Sequence, residues 1–117
     1  MTWVVAFADE FMPEFEAFSE TVQDELLLNA RLLETYGPQL GRPHVDTLNG
    51  STYANMKELR FRADNGVWRV ALAFDPERNA ILLVAGDKSG TNERRFYKRL
   101  IDTADKRYAE HLKRIGR

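Results

Sequence analysis

Cysteine is absent from this 117-residue chain. Its absence rules out a disulfide framework and any thiolate zinc site, and it fits a reducing compartment. Histidine is almost absent too. The only two, His44 and His111, have no second histidine or carboxylate at ligand spacing, so neither a metal nor another cofactor is expected. His44 could serve acid–base chemistry, but an ordinary loop histidine is the plainer reading. Long apolar runs are missing: none could span a bilayer. The stretch Trp3 to Ala8 is too short for a secretory h-region and has no basic residue before it. A soluble, cytoplasmic protein with no membrane partner is therefore expected. No phosphate-cradling glycine loop, nucleophile elbow or Rossmann fingerprint is present.

A surplus of one charge is also lacking overall, the net charge being -1. That balance hides a strong asymmetry. Residues 1–36 hold eight acids and one base, a net of -7; residues 37–117 hold the other 16 bases and 10 acids, a net of +6. An anionic partner for the basic half is one reading. Two solvated faces that attract each other is the other.

The length suits one domain, residues 1–117. Trp3 to Ala8 reads as a strand and about Glu10 to Ala17 as a short helix, with Pro13 tolerated in its first turn. Ser19 caps a longer helix in which Val22, Leu26, Ala30 and Leu33 recur at helical spacing, and Gly37-Pro38 ends it. Residues 38–55 read as a long surface loop. A β-meander follows: Met56 to Ala63, Val67 to Asp75 and Ala80 to Asp87, the last apolar on both faces and so central. A final helix from Glu93 to about Lys113 buries Phe96, Leu100, Ala104, Tyr108 and Leu112. The order is β-α-α-β-β-β-α, an α+β domain with a mainly antiparallel sheet. Trp3 and Trp68 read as core.

The first hairpin is informative. If Asn65-Gly66 forms a two-residue turn, Phe61 pairs with Val70, Leu59 with Leu72 and Arg62 with Arg69, and the apolar faces agree. The opposite face then carries Arg60, Arg62 and Arg69 above the small residues Ala71 and Ala73. Like charges facing each other are unfavourable, whereas such a cluster over a hollow suits an anion, and arginine can fork two hydrogen bonds onto a phosphate. The competing reading is that Glu58, Asp75 or Asp87 neutralises the cluster. Lys88, at the end of the last strand, could reach a phosphate or be plainly solvated. Tyr97 and Lys98 lie nearby in the last helix; Tyr97 could stack on a base or snorkel at the core edge.

The segments Gly41 to Leu48, Met56-Lys57-Glu58-Leu59-Arg60-Phe61, Trp68-Arg69-Val70, Ala85-Gly86-Asp87-Lys88 and Ala104-Asp105-Lys106-Arg107-Tyr108 together resemble the HigB-like, phage Gp49-related branch of the RelE/ParE toxin superfamily. The resemblance spans nearly the whole chain and implies a RelE-like fold. It implies the toxin of a type II toxin–antitoxin system: a metal-independent, ribosome-dependent mRNA endoribonuclease in which the 2′-OH attacks the adjacent phosphate. The implied partners are a helix-turn-helix, HigA-like antitoxin, mRNA on the ribosome, and operator DNA only through the antitoxin. It assigns Arg69 to transition-state charge, Lys88 to acid or phosphate clamp, and Lys57 to a base should the arginines depress its pKa. Arg60 and Arg62 would position the RNA backbone; Tyr97 and Lys98 would contact RNA. The alternative within the superfamily is a ParE-like, non-enzymatic toxin that binds a protein target such as gyrase.

Overall fold

The computed structural model describes residues 2–117. Five strands form one sheet in the order β1-β5-β4-β3-β2, with β1 at Val4–Phe7, β2 at Val45–Thr47, β3 at Met56–Ala63, β4 at Gly66–Phe74 and β5 at Asn79–Asp87. Only β1 runs parallel to its neighbour; the other pairings are antiparallel. The helices are α1 at Met12–Glu16, α2 at Glu20–Tyr36 and α3 at Glu93–Arg114.

Local chemistry sets the helix ends. The Ser19 hydroxyl accepts from the Val22 N–H, and the Asn92 side chain accepts from the Arg95 N–H, satisfying a donor that the first turn leaves free. At the far end of α2, Gly37 sits at φ 57°, and a Cβ there would collide with the Trp3 ring. The stripe Val22, Leu26, Ala30 and Leu33 is buried as the periodicity predicts. Each fully buried leucine contributes about 2 kcal/mol. This stripe faces the side of the sheet that carries Leu59, Val70 and Leu72. α3 lies on the opposite side, burying Leu100, Ala104 and Tyr108, so the sheet is covered on both faces.

Two expectations are corrected. The segment 38–55 is not a structureless loop. A 3-10 turn occupies Gly37–Gln39, and β2 adds to the sheet edge by pairing Val45, Asp46 and Thr47 with Leu59, Glu58 and Lys57. Beyond it, Ser51 Oγ donates to Asp105 Oδ1 at 2.5 Å and the Thr52 N–H to Oδ2 at 2.9 Å, tying the segment to α3. Three residues are too few to show an alternating pattern.

The hairpin register is also shifted by two residues. Asp64 and Asn65 form the turn, at φ 50° and 60°, the left-handed values of a tight hairpin turn. Ala63 then pairs with Gly66, Arg62 with Val67, Phe61 with Trp68, and Arg60 with Arg69. Gly66 belongs to the strand, where a Cβ would approach Asp87 Oδ2 to 2.7 Å and Trp68 Nε1 to 2.8 Å. The glycine answers a close approach rather than a turn dihedral. A two-residue shift keeps each side chain on its predicted face, but it puts Arg60, not Arg62, opposite Arg69.

Candidate active site

Arg69 lies mid-strand on β4, on the face roofed by α3, and its side chain is only 7% exposed. A guanidinium so buried must be paired. Its Nε lies 3.3 Å from Glu58 Oε1 and donates to the Tyr97 hydroxyl at 3.2 Å, while Nη1 donates to the Trp68 carbonyl at 2.9 Å. The Tyr97 hydroxyl in turn donates to Glu58 Oε1 at 2.7 Å. Glu58 reaches this position because β-strand alternation puts it on the same face as Arg60, and the true register sets it diagonally beside Arg69. Tyr97 comes from the second turn of α3. Burial pushes its phenol above the ordinary value, and the hydrogen bond to Glu58 adds to that.

Lys88 approaches from the end of β5. Its Nζ stands 5.8 Å from the centroid of the Tyr97 ring and donates to Glu93 Oε1 at 2.9 Å. That hydrogen bond, then the lysine charge, holds the Glu93 carboxyl below its usual range. Arg60 is half-buried opposite Arg69, its charge reaching Glu93 on one side and Asp46 on the other. Among the described residues it has no ion-pair partner within 4 Å. The site thus gathers three cations, a phenol and two carboxylates at the N-terminal end of α3.

The structure therefore brings Arg69, Lys88, Tyr97 and Arg60 together. Arg62 is exposed, one step nearer the hairpin tip. Lys98 points away to Asp102, 3.2 Å distant along the exposed side of α3. Lys57 is not brought to the site. It shares the sheet face of Leu59, and its ammonium donates to Thr47 Oγ1 at 3.2 Å. The expected open hollow is absent as well, because Ala71 and Ala73 are fully buried in the core beneath α3. Of the three carboxylates expected to compete for the arginines, Glu58 takes Arg69. Asp87 instead accepts from the Val67 and Ser89 backbone, and Asp75 pairs with His111 at 2.9 Å. Glu58 as a member of the site, and Glu93 with it, were missed. Glu58 has the right strand parity, but the register error hid which arginine it meets.

No group of three His, Cys, Asp or Glu side chains suited to a metal occurs among the described residues, and no helix there is long and apolar enough to cross a membrane.

The architecture is that of the RelE fold. A double mutant of the E. coli toxin RelE, solved in the free state, superimposes with a TM-score of 0.66 over 92% of this chain and 98% of that one, at 15% identity. A chain of the archaeal RelE–RelB complex from Pyrococcus horikoshii OT3 matches with a TM-score of 0.56 over 78% of this chain and 100% of that one, at 17% identity. Within this fold the sequence is more specific: the profile "Phage derived protein Gp49-like" matches residues 13–109, and the chain belongs to that family. Two Mycobacterium tuberculosis proteins named as toxins are similar to it. HigB3 is 55% identical over 76 residues, 65% of this chain and 64% of its own length. HigB2 is 48% identical over 82 residues, 69% of this chain and 40% of its own length. The chain thus spans less than two thirds of either relative. The likeness to the phage Gp49-related family is borne out by the profile, the two HigB proteins are similar to the chain in sequence, and the solved structures bear out the RelE-like fold.

Proposed function

We propose that this chain is the toxin of a type II toxin–antitoxin pair and that it cleaves mRNA on the ribosome without a metal. The observation that carries this reading is the convergence of Arg69, Lys88 and Tyr97 at one end of α3, with Glu58 behind them. In the proposed step the substrate 2′-oxygen bonds to the adjacent phosphorus as its proton passes to the Tyr97–Glu58 pair. The bond from phosphorus to the 5′-oxygen breaks, and Lys88 returns a proton to that oxygen. Arg69 and Lys88 stabilise the charge on the pentavalent intermediate. Arg60 and Arg62 hold the RNA backbone; Tyr97, with Lys98 further along the helix, contacts RNA. Lys57, on the other face, takes no part as a base. The antitoxin is a helix-turn-helix protein of the HigA type, through which the pair meets operator DNA. That a related fold has been solved in complex with RelB supports a protein partner.

The test is inducible expression in a bacterial host with transcript-end mapping. Growth should stop and coding regions should be cut, and Arg69→Ala or the better-tolerated Lys88→Ala should reduce both by tenfold or more, about 1.4 kcal/mol of transition-state stabilisation. Toxicity that survives both substitutions would sink the assignment. A second reading has one observation in its favour: Glu58 already occupies Arg69. Induction of the DNA-damage response with transcripts intact would identify the ParE-like alternative, a toxin that binds gyrase or another protein without chemistry.

A further inference from the structure

Of the two carboxylates at the site, Glu58 is buried against Arg69 and Tyr97, whereas Glu93 lies at the surface. Glu93 is the first residue of α3, and its side chain is 69% exposed. It nevertheless accepts from the Lys88 ammonium at 2.9 Å. The sheet explains what else it faces. Arg60 and Arg69 are direct partners across β3 and β4, and Gly86 is the partner of Arg69 on β5. Lys88 follows Gly86 by two residues, so alternation sets all three cations on one face. The hydrogen bond from Lys88 is the main cause that holds the Glu93 carboxyl below its ordinary range, and the charges of Lys88, Arg69 and Arg60 act in the same direction. One carboxylate thus stands in the combined field of the three cations of the site. An acid in a first turn commonly complements the helix dipole. That accounts for the acidity of Glu93, but not for its hold on Lys88 or its place among the cations.

We propose that Glu93 is a displaceable internal anion: its carboxylate takes the position on Lys88 that a substrate phosphate needs, and the phosphate must expel it. That the phosphate belongs to RNA rests on the function proposed above. Its entry exchanges one anionic partner of Lys88 for another, so the ammonium is never left bare beside the Tyr97 ring, 5.8 Å from its centroid. The Glu93 side chain then swings into solvent without breaking any buried contact. Exposed ion pairs are weak, so Glu93 sets a threshold rather than a lock. A lone phosphate gains little by displacing it. An RNA already held along Arg60 and Arg62 displaces it from within the complex, at a high effective concentration. Glu93 is therefore a selectivity residue, favouring RNA presented in the right place over stray anions.

Titration with inorganic phosphate, followed by the amide NMR signals of Arg69, Lys88 and Tyr97, tests this without presuming nuclease activity. Glu93→Gln should bind phosphate about two- to fivefold more tightly than the native chain, the most that an exposed ion pair is usually worth. Glu110→Gln removes the same charge from the far end of α3, where Glu110 meets Lys113 at 3.4 Å, and should leave the affinity unchanged. Lys88→Ala should weaken binding severalfold, since a charge-assisted contact is lost. Binding that is unaltered or weaker in Glu93→Gln, an equal gain in Glu110→Gln, or indifference to Lys88→Ala would each overturn the proposal. So would the absence of any phosphate-dependent shift at these residues. In cells, Glu93→Gln should arrest growth at a lower level of inducer while cutting the same transcripts. An arrest that needs as much inducer or more would overturn the proposal and leave Glu93 a residue that merely orients Lys88. A native chain that never arrests growth would instead remove the toxin reading, leaving the phosphate titration to judge Glu93.

Discussion

Two polar clusters lie under the two ends of α3, and they are built to different ends. Under its last turns, Asp75 is saturated. Its Oδ1 accepts from the N–H groups of Glu77 at 2.9 Å and Asn79 at 2.8 Å, and its Oδ2 from the Asn79 side chain at 3.2 Å, with His111 Nε2 at 2.9 Å. Tyr108 stacks on His111 and meets the Asn55 amide at 3.1 Å. Every strong acceptor there is spoken for, and the cluster closes the turn between β4 and β5. Under the first turns, the Glu58–Tyr97–Arg69 set is just as buried but is ringed by cations, Arg60 and Lys88, that the fold leaves at least partly open to solvent. A satisfied buried cluster reads as architecture. One that keeps spare positive charge at its border reads as a place for an anion.

Substitutions can break this comparison, and the largest effect should come from Glu58→Ala. It strands the Arg69 guanidinium in the interior and should cost about 4 kcal/mol in denaturant unfolding. Asp75→Ala should follow at about 3 kcal/mol, since backbone donors lose their acceptor. The two clusters differ next in pH response. Burial alone would raise the Asp75 carboxyl, but His111 and the turn N–H groups outweigh it and hold the group below its ordinary value. A depressed carboxyl contributes stability above the unfolded value of about 3.9, and that contribution fades as pH falls through the folded one. Acid unfolding of the native protein should therefore steepen below about pH 4, and Asp75→Asn should flatten that limb. Smaller still, Glu58→Met with Arg69→Met should leave stability within about 1 kcal/mol of native or above it, while abolishing growth arrest. Arg60→Ala should move stability by less than about 0.5 kcal/mol yet weaken toxicity. Full toxicity in both of these variants would erase the functional distinction between the two clusters.

Much of this was legible in the chain itself. Ser19 and Asn92 mark where α2 and α3 begin, the leucine stripe marks the buried face of α2, and the unbroken apolar run in β5 marks an interior strand, all through local rules. Three features escaped. β2 is too short to carry a pattern. The Asn65-Gly66 pair is a strong turn signal, but the glycine is there to admit Trp68 and Asp87, so the register slipped by two while every face came out right. The roof over Ala71 and Ala73 depends on which side of the sheet α3 takes, a long-range choice that alternation within a hairpin does not encode. For the site, the sequence pointed to Arg60, Arg69, Lys88 and Tyr97, which β3, β4, β5 and α3 bring together, whereas Arg62 and Lys98 lie outside that cluster. It misplaced Lys57, whose strand parity assigns it to the other face, and it undervalued Glu58, whose partner only the true register names.

The brevity of β2 has a consequence for how the molecule behaves in a crowded cell. A sheet grows sideways by offering a long, flat row of free amides and carbonyls, and on this flank the row ends after three residues, beside an aspartate bonded to Arg42 at 3.0 Å and a lysine on the neighbouring strand. Such a short, charged margin is a poor seed for stacking one copy onto the next. On that flank, aggregation is discouraged by the edge itself.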